Sequence, residues 1–175
     1  MVINENRRDC PNNRLDIMQQ WVQPFFPEAE VFGTWTEESQ QKLARTIQPI
    51  PYDELYMTLQ SWRCTLTTPA SGSGWATAKA WECFLVGTVC FFHPGYDTQG
   101  HILPTKNHQW GSDEVKELAR FLRCENKQDF QQKVNRIGQD DFLWKRMVYL
   151  QNEHLKKVFK DTRGGTKRIN ERLLG

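Results

Sequence analysis

The sequence lacks a hydrophobic run long enough to cross a membrane. The longest apolar stretch, residues 84–92, is interrupted by Gly87 and Thr88 and falls short of the roughly 18 residues that a spanning helix needs. The first residues, MVINENRR, also lack the apolar segment of a secretory signal. We therefore expect a cytoplasmic protein with no membrane association.

Cysteine spacing typical of a metal site or a disulfide framework is also missing. The five cysteines are odd in number and scattered, without a C-x-x-C motif and without a His at ligand spacing. These residues are Cys10, Cys64, Cys83, Cys90 and Cys124. We expect free thiols and no structural metal.

The chain has neither an internal repeat nor a low-complexity linker, and its 175 residues suit one domain. Hydrophobic residues make up 38% of the sequence, with seven Trp and ten Phe, which is enough for a sizeable core. The net charge of +2 is unevenly distributed. Residues 145–175 carry nine Lys and Arg against three acidic residues, which makes this end +6 and leaves −4 for residues 1–144.

Short β-like and helical patterns alternate over the first hundred residues. The β-like runs are VIN, AEVFGTW, TIQPI, RCTLTTP and TVCFFHP; the helical ones are RLDIMQQWV, TEESQQKLA, PYDELYMTLQSW and the stretch before Gly87. Five strands separated by four helices predict an α/β fold with a doubly wound, Rossmann-like parallel sheet. The strands are short and apolar, as buried parallel strands are.

After Pro104 the pattern changes to longer helices. They are DEVKELARFLRC after Ser112, NKQDFQQKVNRI and DDFLWKRMVYLQNEHLKKVFK. We predict a Rossmann-like core at residues 1–104 and a helical C-terminal extension of the same domain at residues 105–175.

The stretch PASGSGWATAKAWE places a Gly/Ser loop directly before a helix, at the carboxyl end of the fourth predicted strand. Ligands of open parallel sheets bind at such loops. Exposed backbone N–H groups and a helix N-terminus both favour an anion such as phosphate, with Ser73 as the candidate N-cap. A mobile Gly/Ser turn is the alternative, because the stretch has neither the Walker Lys-Ser ending nor a G-x-G-x-x-G motif.

Glu82 lies on the apolar side of this helix, together with Ala78, Trp81 and Leu85, and therefore needs a partner. Lys79, three residues earlier, could form a simple ion pair with it. Alternatively, Glu82 accepts hydrogen bonds from the hydroxyls of a ligand, as acidic residues do with ribose in α/β folds.

The order of these features resembles the nucleotide-sugar-binding, C-terminal half of GT-B glycosyltransferases. The loop-helix segment SGSGWATAKAWE is followed by Gly87, the strand TVCFFHP and then Asp97-Thr98-Gln99. The resemblance covers about residues 1–104, and its specific part is confined to residues 69–101. The pattern is also similar to phage-encoded members, some of which modify DNA bases.

The resemblance implies a site for a nucleotide-diphosphate sugar. In that family the loop amides bind the donor pyrophosphate, the helix Glu binds ribose, and the acidic-Gln pair contacts the sugar or nucleotide. The implied binding residues are Ser71, Gly72, Ser73, Gly74, Thr77, Lys79, Glu82, Asp97 and Gln99. A basic residue after the first strand often neutralises the phosphates, and the candidates are Arg7, Arg8 and Arg14. The scheme requires no metal and no cofactor besides the donor.

The chain departs from the family pattern in two ways. Retaining members carry an E-x7-E pair whose first acid would fall on Gly74, which argues against that subclass. A complete GT-B enzyme also has an N-terminal domain with the acceptor site. A partner chain or a homodimer would have to supply that site here, and we expect no turnover by the chain alone; no catalytic residue is assigned.

Several other residues remain open to two interpretations. His93 ends the fifth strand at the same ligand edge, and His101 lies in the following loop; either could contact a sugar, but a lone His is often structural. Trp75 could stack on a base or pack in the core. The segment TRGGTKR at 162–168 could bind phosphate or nucleic acid, or be a solvated tail.

The sequence therefore predicts a glycosyltransferase-like protein that transfers a sugar from a nucleotide diphosphate, or helps a partner to do so. One alternative is a non-catalytic nucleotide-sugar-binding or regulatory module. The other is a nucleic-acid-binding protein that uses its basic C-terminal helices.

Overall fold

The computed structural model describes residues 1–5, 13–69 and 76–161 as a mixed α/β fold. Short parallel strands lie among helices that make up most of this part of the chain. The helices are α1 (Arg14–Ile17), α2 (Glu37–Lys42), α3 (Tyr52–Ser61), α4 (Lys79–Val86), α5 (Asp113–Leu122), α6 (Lys127–Gln139) and α7 (Asp141–Asp161). A π-helical turn, Met18–Val22, continues α1.

Two buried strands form the centre of the sheet. Strand β1 (Cys64–Thr67) pairs in parallel with β2 (Val89–Phe92), with Cys64 opposite Val89 and Thr67 opposite Phe92. Every residue of β2 is fully buried, which explains why its sequence is apolar without alternation. Helix α4 makes the crossover between the strands. The predicted α/β class with parallel strands is confirmed.

The first three predicted strands are wrong as continuous strands. Each contributes a single bridge residue: Phe32 bridges Val2 on one side and Gln48 on the other, and both bridges are parallel. Pro49 follows Gln48 and has no N–H to donate, which prevents longer pairing there.

Gly33 allows the segments that contain Val2 and Phe32 to approach each other closely. Its N–H donates to the Gln48 carbonyl at 2.9 Å, and its φ is 152°. A Cβ at this position would lie 1.9 Å from the Ile3 carbonyl oxygen. No side chain fits between the segments here.

The outer edge of β2 is paired with groups from the C-terminal helices. The Cys124 N–H donates to the Phe92 carbonyl at 2.9 Å, immediately after α5. The fully buried Gln151 of α7 uses its amide like a strand neighbour. Its Oε1 accepts from the Cys90 N–H at 3.0 Å, and its Nε2 donates to the Thr88 carbonyl at 3.0 Å.

Helices α5 and α7 pack on β2, and α7 also contacts α4, α5 and α6. Helix α6 packs on the π-helical turn, where its Phe130 lies edge-on to Phe91 of β2, with ring centroids 5.8 Å apart. Trp21 of the π-helical turn also lies near Phe130, with ring centroids 6.1 Å apart. The C-terminal helices therefore contribute directly to the core around the sheet.

Within the three described ranges, no helix combines the length and the apolar character that crossing a bilayer requires.

Replacing Gln151 tests its role at the strand edge. Gln151→Leu leaves the Cys90 N–H and the Thr88 carbonyl buried without partners, so we expect a loss of about 2–3 kcal/mol in the free energy of unfolding. Urea denaturation measures this loss. Gln128→Leu on the exposed face of α6 is the matched control, and a change within about 0.5 kcal/mol is expected for it. Equal losses in both variants would contradict the assignment.

Candidate functional site

Helix α4 starts five residues later in the chain than it would with Ser73 as its N-cap. The helix begins at Lys79 with Ala78 as its N-cap, so the prediction of Ser73 as the cap is wrong. Thr77 lies before the helix, and its carbonyl accepts a hydrogen bond from the Tyr96 hydroxyl at 2.7 Å. Several predicted residues lie outside the described ranges: Arg7, Arg8, Cys10, Ser71, Gly72, Ser73, Gly74, Trp75 and residues 162–168.

Tyr96 connects the loop after β2 to the segment that enters α4. Its hydroxyl donates to the Thr77 carbonyl and also accepts from the Thr77 N–H at 3.1 Å. The side chain is fully buried and lies edge-on to Phe92, and burial raises the pKa of the phenol. Sequence reasoning missed Tyr96. The sequence feature that could have indicated Tyr96 is its position immediately before Asp97 in the motif.

Lys79 and Glu82 form an ion pair on the first turn of α4. Lys79 Nζ lies 2.5 Å from Glu82 Oε2, and the two side chains are 23% and 21% exposed. The structure thus contains the simple i,i+3 pair that the sequence allowed. The remaining exposure leaves part of the carboxylate accessible to solvent, and its contact with a ribose stays a prediction.

Arg14 of α1 connects the ends of two sheet segments. Its Nη1 donates to the Asn4 carbonyl at 2.7 Å, and its Nε donates to the Pro69 carbonyl at 3.2 Å. Pro69 is the last described residue before the Gly/Ser loop. Burial lowers the pKa of Arg14, and the side chain lies at the carboxyl edge of the sheet, where ligands of parallel sheets bind.

Asp97 is fully buried and accepts several hydrogen bonds within its own loop. Its carboxylate oxygens accept from the N–H groups of His101 (2.7 Å), Ile102 (3.2 Å) and Leu103 (3.1 Å). In this conformation the carboxylate has no exposed surface, and a direct contact with a sugar would require the loop to rearrange. Gln99, the other member of the predicted pair, is exposed.

Arg123, after α5, is the charged partner of Asp97. Its Nη2 lies 2.6 Å from Asp97 Oδ2 and also donates to the Leu103 carbonyl, while its Nε donates to the Pro104 carbonyl at 2.8 Å. The guanidinium lies over the Phe92 ring, 5.5 Å from its centroid. We call Asp97 and Arg123 with these contacts the loop clamp. Arg123 was not predicted, because 26 residues separate it from Asp97 and no local pattern connects them.

His93 follows β2 and packs on Trp21, with ring centroids 4.6 Å apart. The residue is only 7% exposed, and burial lowers the pKa of its imidazole to about 4. The ring is therefore neutral at pH 7. By contrast, His101 is exposed. His154, of α7, is buried and bonded to the Ile102 carbonyl at 2.7 Å, which makes its role structural.

A cleft of about 1010 Å³ opens beside His93, between the loop after β2 and helices α5 and α6. A second cavity, of about 420 Å³, is lined mainly by apolar side chains such as Phe25, Phe26 and Phe130. The larger cleft is the one with polar groups at the carboxyl edge of the sheet, where ligands of parallel sheets bind. Among the described residues, no three His, Cys, Asp or Glu side chains converge on a possible metal position.

Removing the charge of Asp97 tests the loop clamp. Asp97→Asn keeps the positive φ of 51°, which Asn tolerates, but turns amide hydrogens towards Arg123 and the loop N–H groups. We expect a loss of about 3 kcal/mol in unfolding free energy, measured by urea denaturation. Asp113→Asn, whose side chain is fully exposed and 3.8 Å from Lys116, is the control and should change little. A similarly small effect at Asp97 would contradict the clamp.

The buried neutral His93 predicts a pH dependence of stability. Between its ordinary pKa of about 6.5 in the unfolded chain and about 4 in the folded one, only the unfolded chain takes up the proton. Stability contributed by this site is therefore complete above pH 6.5 and decreases as the pH falls. From pH 7 to pH 5, wild type should lose about 1–2 kcal/mol more than His93→Phe, by urea denaturation. Equal losses would show that His93 is not buried in its neutral form.

Comparison by sequence finds no relative: no protein-family model and no curated protein matches the chain. Comparison by structure, in contrast, finds proteins with a similar fold. A DNA-modifying β-glucosyltransferase, crystallised in the presence and absence of its substrate uridine diphosphoglucose, aligns with 97% of the chain at 15% identity and a TM-score of 0.65.

Two structures of the phage T4 enzyme give similar results. A variant in complex with UDP-glucose aligns with 97% of the chain at 16% identity and a TM-score of 0.64. The complex with UDP and Mn²⁺ aligns with 90% of the chain at 16% identity and a TM-score of 0.60. The chain spans about half the length of these proteins, 49%, 47% and 44% respectively. The predicted resemblance to half of a phage-type GT-B glycosyltransferase is thus confirmed at the level of the fold.

Proposed function

We propose that this chain binds a nucleotide-diphosphate sugar at the carboxyl edge of its sheet and is the donor-binding half of a glycosyltransferase. The observation that carries the proposal is the fold match over 97% of the chain to an enzyme crystallised with uridine diphosphoglucose. The Rossmann-like arrangement belongs to the proposal: the parallel bridges and the β1–β2 pair would be parts of one doubly wound sheet. Residues 105–161 would belong to the same domain, since Cys124 pairs with β2.

The nucleotide would lie between the start of α4 and the end of the first sheet segment. Glu82 would accept hydrogen bonds from the ribose hydroxyls. Lys79, which already contacts Glu82 at 2.5 Å, would hold that carboxylate in a fixed orientation. Tyr96 would fix the entry to α4 through Thr77, so that the helix starts in one position whether or not the ligand is bound.

The diphosphate would be stabilised by the amides of the loop at residues 71–74, the N-terminus of α4 and Arg14. Arg14 donates to the carbonyl of Pro69, the last described residue before this loop. As the acceptor oxygen bonds to the anomeric carbon, the bond to the diphosphate oxygen breaks and its electron pair stays with the leaving group. A cation and a helix N-terminus at that oxygen lower the barrier. No step is assigned to a metal or to a general base.

The acceptor would be presented by another surface. The chain spans about half the length of the matched structures. We propose that a partner chain or a second copy contributes the acceptor site during transfer. An assay of sugar transfer and donor hydrolysis by the purified chain alone should show no multiple turnover. Repeated turnover would mean that this unit is a complete enzyme.

Replacing Glu82 tests the nucleotide site. Glu82→Ala should weaken UDP-glucose binding by about 1–3 kcal/mol in isothermal titration calorimetry, because the ribose hydroxyls lose their acceptor. The matched control is Glu153→Ala on α7, which breaks another i,i+3 Lys–Glu pair, with Lys156 at 2.8 Å, without approaching the sheet edge. If a folded Glu82→Ala protein binds UDP-glucose with unchanged affinity, Glu82 does not contact the nucleotide and is only the ion-pair partner of Lys79.

A further inference from the structure

His93 lies at the junction between the two central strands and the large cleft. Its N–H donates to the Thr67 carbonyl at 3.0 Å, so the backbone of His93 continues the pairing of β2 with β1 by one residue. Pro69, the last described residue before the Gly/Ser loop, follows Thr67 by two residues. His93 therefore lies beside the end of β1, at the carboxyl edge where ligands of parallel sheets bind.

The hydrogen bonds of the ring fix where its proton is. The Gly95 N–H donates to His93 Nδ1 at 3.0 Å, which makes Nδ1 an acceptor and places the ring hydrogen on Nε2. None of the residues that the structure describes accepts that hydrogen. His93 as a whole residue is only 7% exposed, and a buried donor without an acceptor costs about 1–3 kcal/mol. This cost is offset if a ligand supplies the acceptor.

The cleft that His93 lines suits an uncharged polar group better than a second anion. Four of its five basic side chains already have a carboxylate partner: Lys106 with Glu125, Lys116 with Asp113, Lys133 with Asp129 and Arg123 with Asp97. Other lining residues are hydroxyl and amide side chains, namely Thr105, Asn107 and Gln109. Such groups bind sugar hydroxyls, and a volume of about 1010 Å³ leaves room for a hexose.

We propose that His93 donates a hydrogen bond from Nε2 to a hydroxyl oxygen of the transferred sugar, and so makes the site prefer a nucleotide sugar to the bare nucleotide. This inference rests on the proposed function, since it places the sugar of the donor in the cleft. The neutral ring acts as a donor of one hydrogen and as a positioning contact.

The test compares two ligands in three proteins. Isothermal titration calorimetry gives the Kd of UDP-glucose and of UDP for wild type, His93→Phe and His93→Gln. Phe keeps a ring on Trp21 but has no N–H, whereas Gln has an amide N–H. Wild type should bind UDP-glucose about 3- to 10-fold more tightly than UDP, the scale of one hydrogen bond. His93→Phe should bring this ratio close to one without changing the Kd of UDP, and His93→Gln should recover part of it.

The outcomes separate this inference from the proposed function. If wild type binds neither ligand, both are overturned. If wild type binds both and the ratio is the same in His93→Phe, the sugar contact is overturned while the nucleotide site stands. An equal loss of affinity for UDP and UDP-glucose also overturns it, because His93 would then act on the nucleotide.

A measurement on the wild-type chain covers the case in which His93→Phe does not fold. In NMR spectra of ¹⁵N-labelled imidazole groups, UDP-glucose should shift the His93 Nε2–H resonance and slow its exchange with water, and UDP should do neither. The same shift with both ligands would contradict the sugar contact.

Discussion

The ion pair between Asp97 and Arg123 determines the conformation of the loop that follows the central strand. A buried carboxylate is stable only when its charge and its lone pairs are matched, and Asp97 meets this condition with Arg123 and three backbone N–H groups of its own loop. Arg123 in turn donates to the carbonyls that end the loop. Tyr96, next to Asp97 in the chain, is thereby directed at Thr77. The start of α4 depends on an interaction formed on the far side of β2.

Local patterns in the sequence were sufficient for much of the fold. Helices α5, α6 and α7 have strong helical periodicity and begin or end close to the predicted positions, and β1 and β2 are apolar runs that are buried in the structure. The weaker β-like runs near Val2, Phe32 and Gln48 were predicted as strands because composition does not show how many residues pair. Each run contributes a single bridge residue, since Gly33 and Pro49 limit the pairing.

The candidate site was predictable only in part, for the same physical reason. Lys79 and Glu82 are three residues apart on one helix, so helix geometry alone brings them together. Arg14 and Pro69, Thr77 and Tyr96, and Asp97 and Arg123 meet through the packing of separate elements. A motif indicates which residue types occur at a sheet edge, but the three-dimensional packing decides whether a carboxylate faces solvent or its own backbone. Asp97 faces its own backbone.

The amide of Gln151 affects whether another protein chain can pair with the sheet. An unpaired strand edge is a template on which another chain can add a strand, and proteins avoid this by covering such edges. On the outer edge of β2, the Gln151 side chain occupies the N–H of Cys90 and the carbonyl of Thr88, while Cys124 occupies the carbonyl of Phe92. Helix α7 thus prevents another chain from adding a strand to the apolar strand β2. This protection lasts only while α7 stays packed on the sheet.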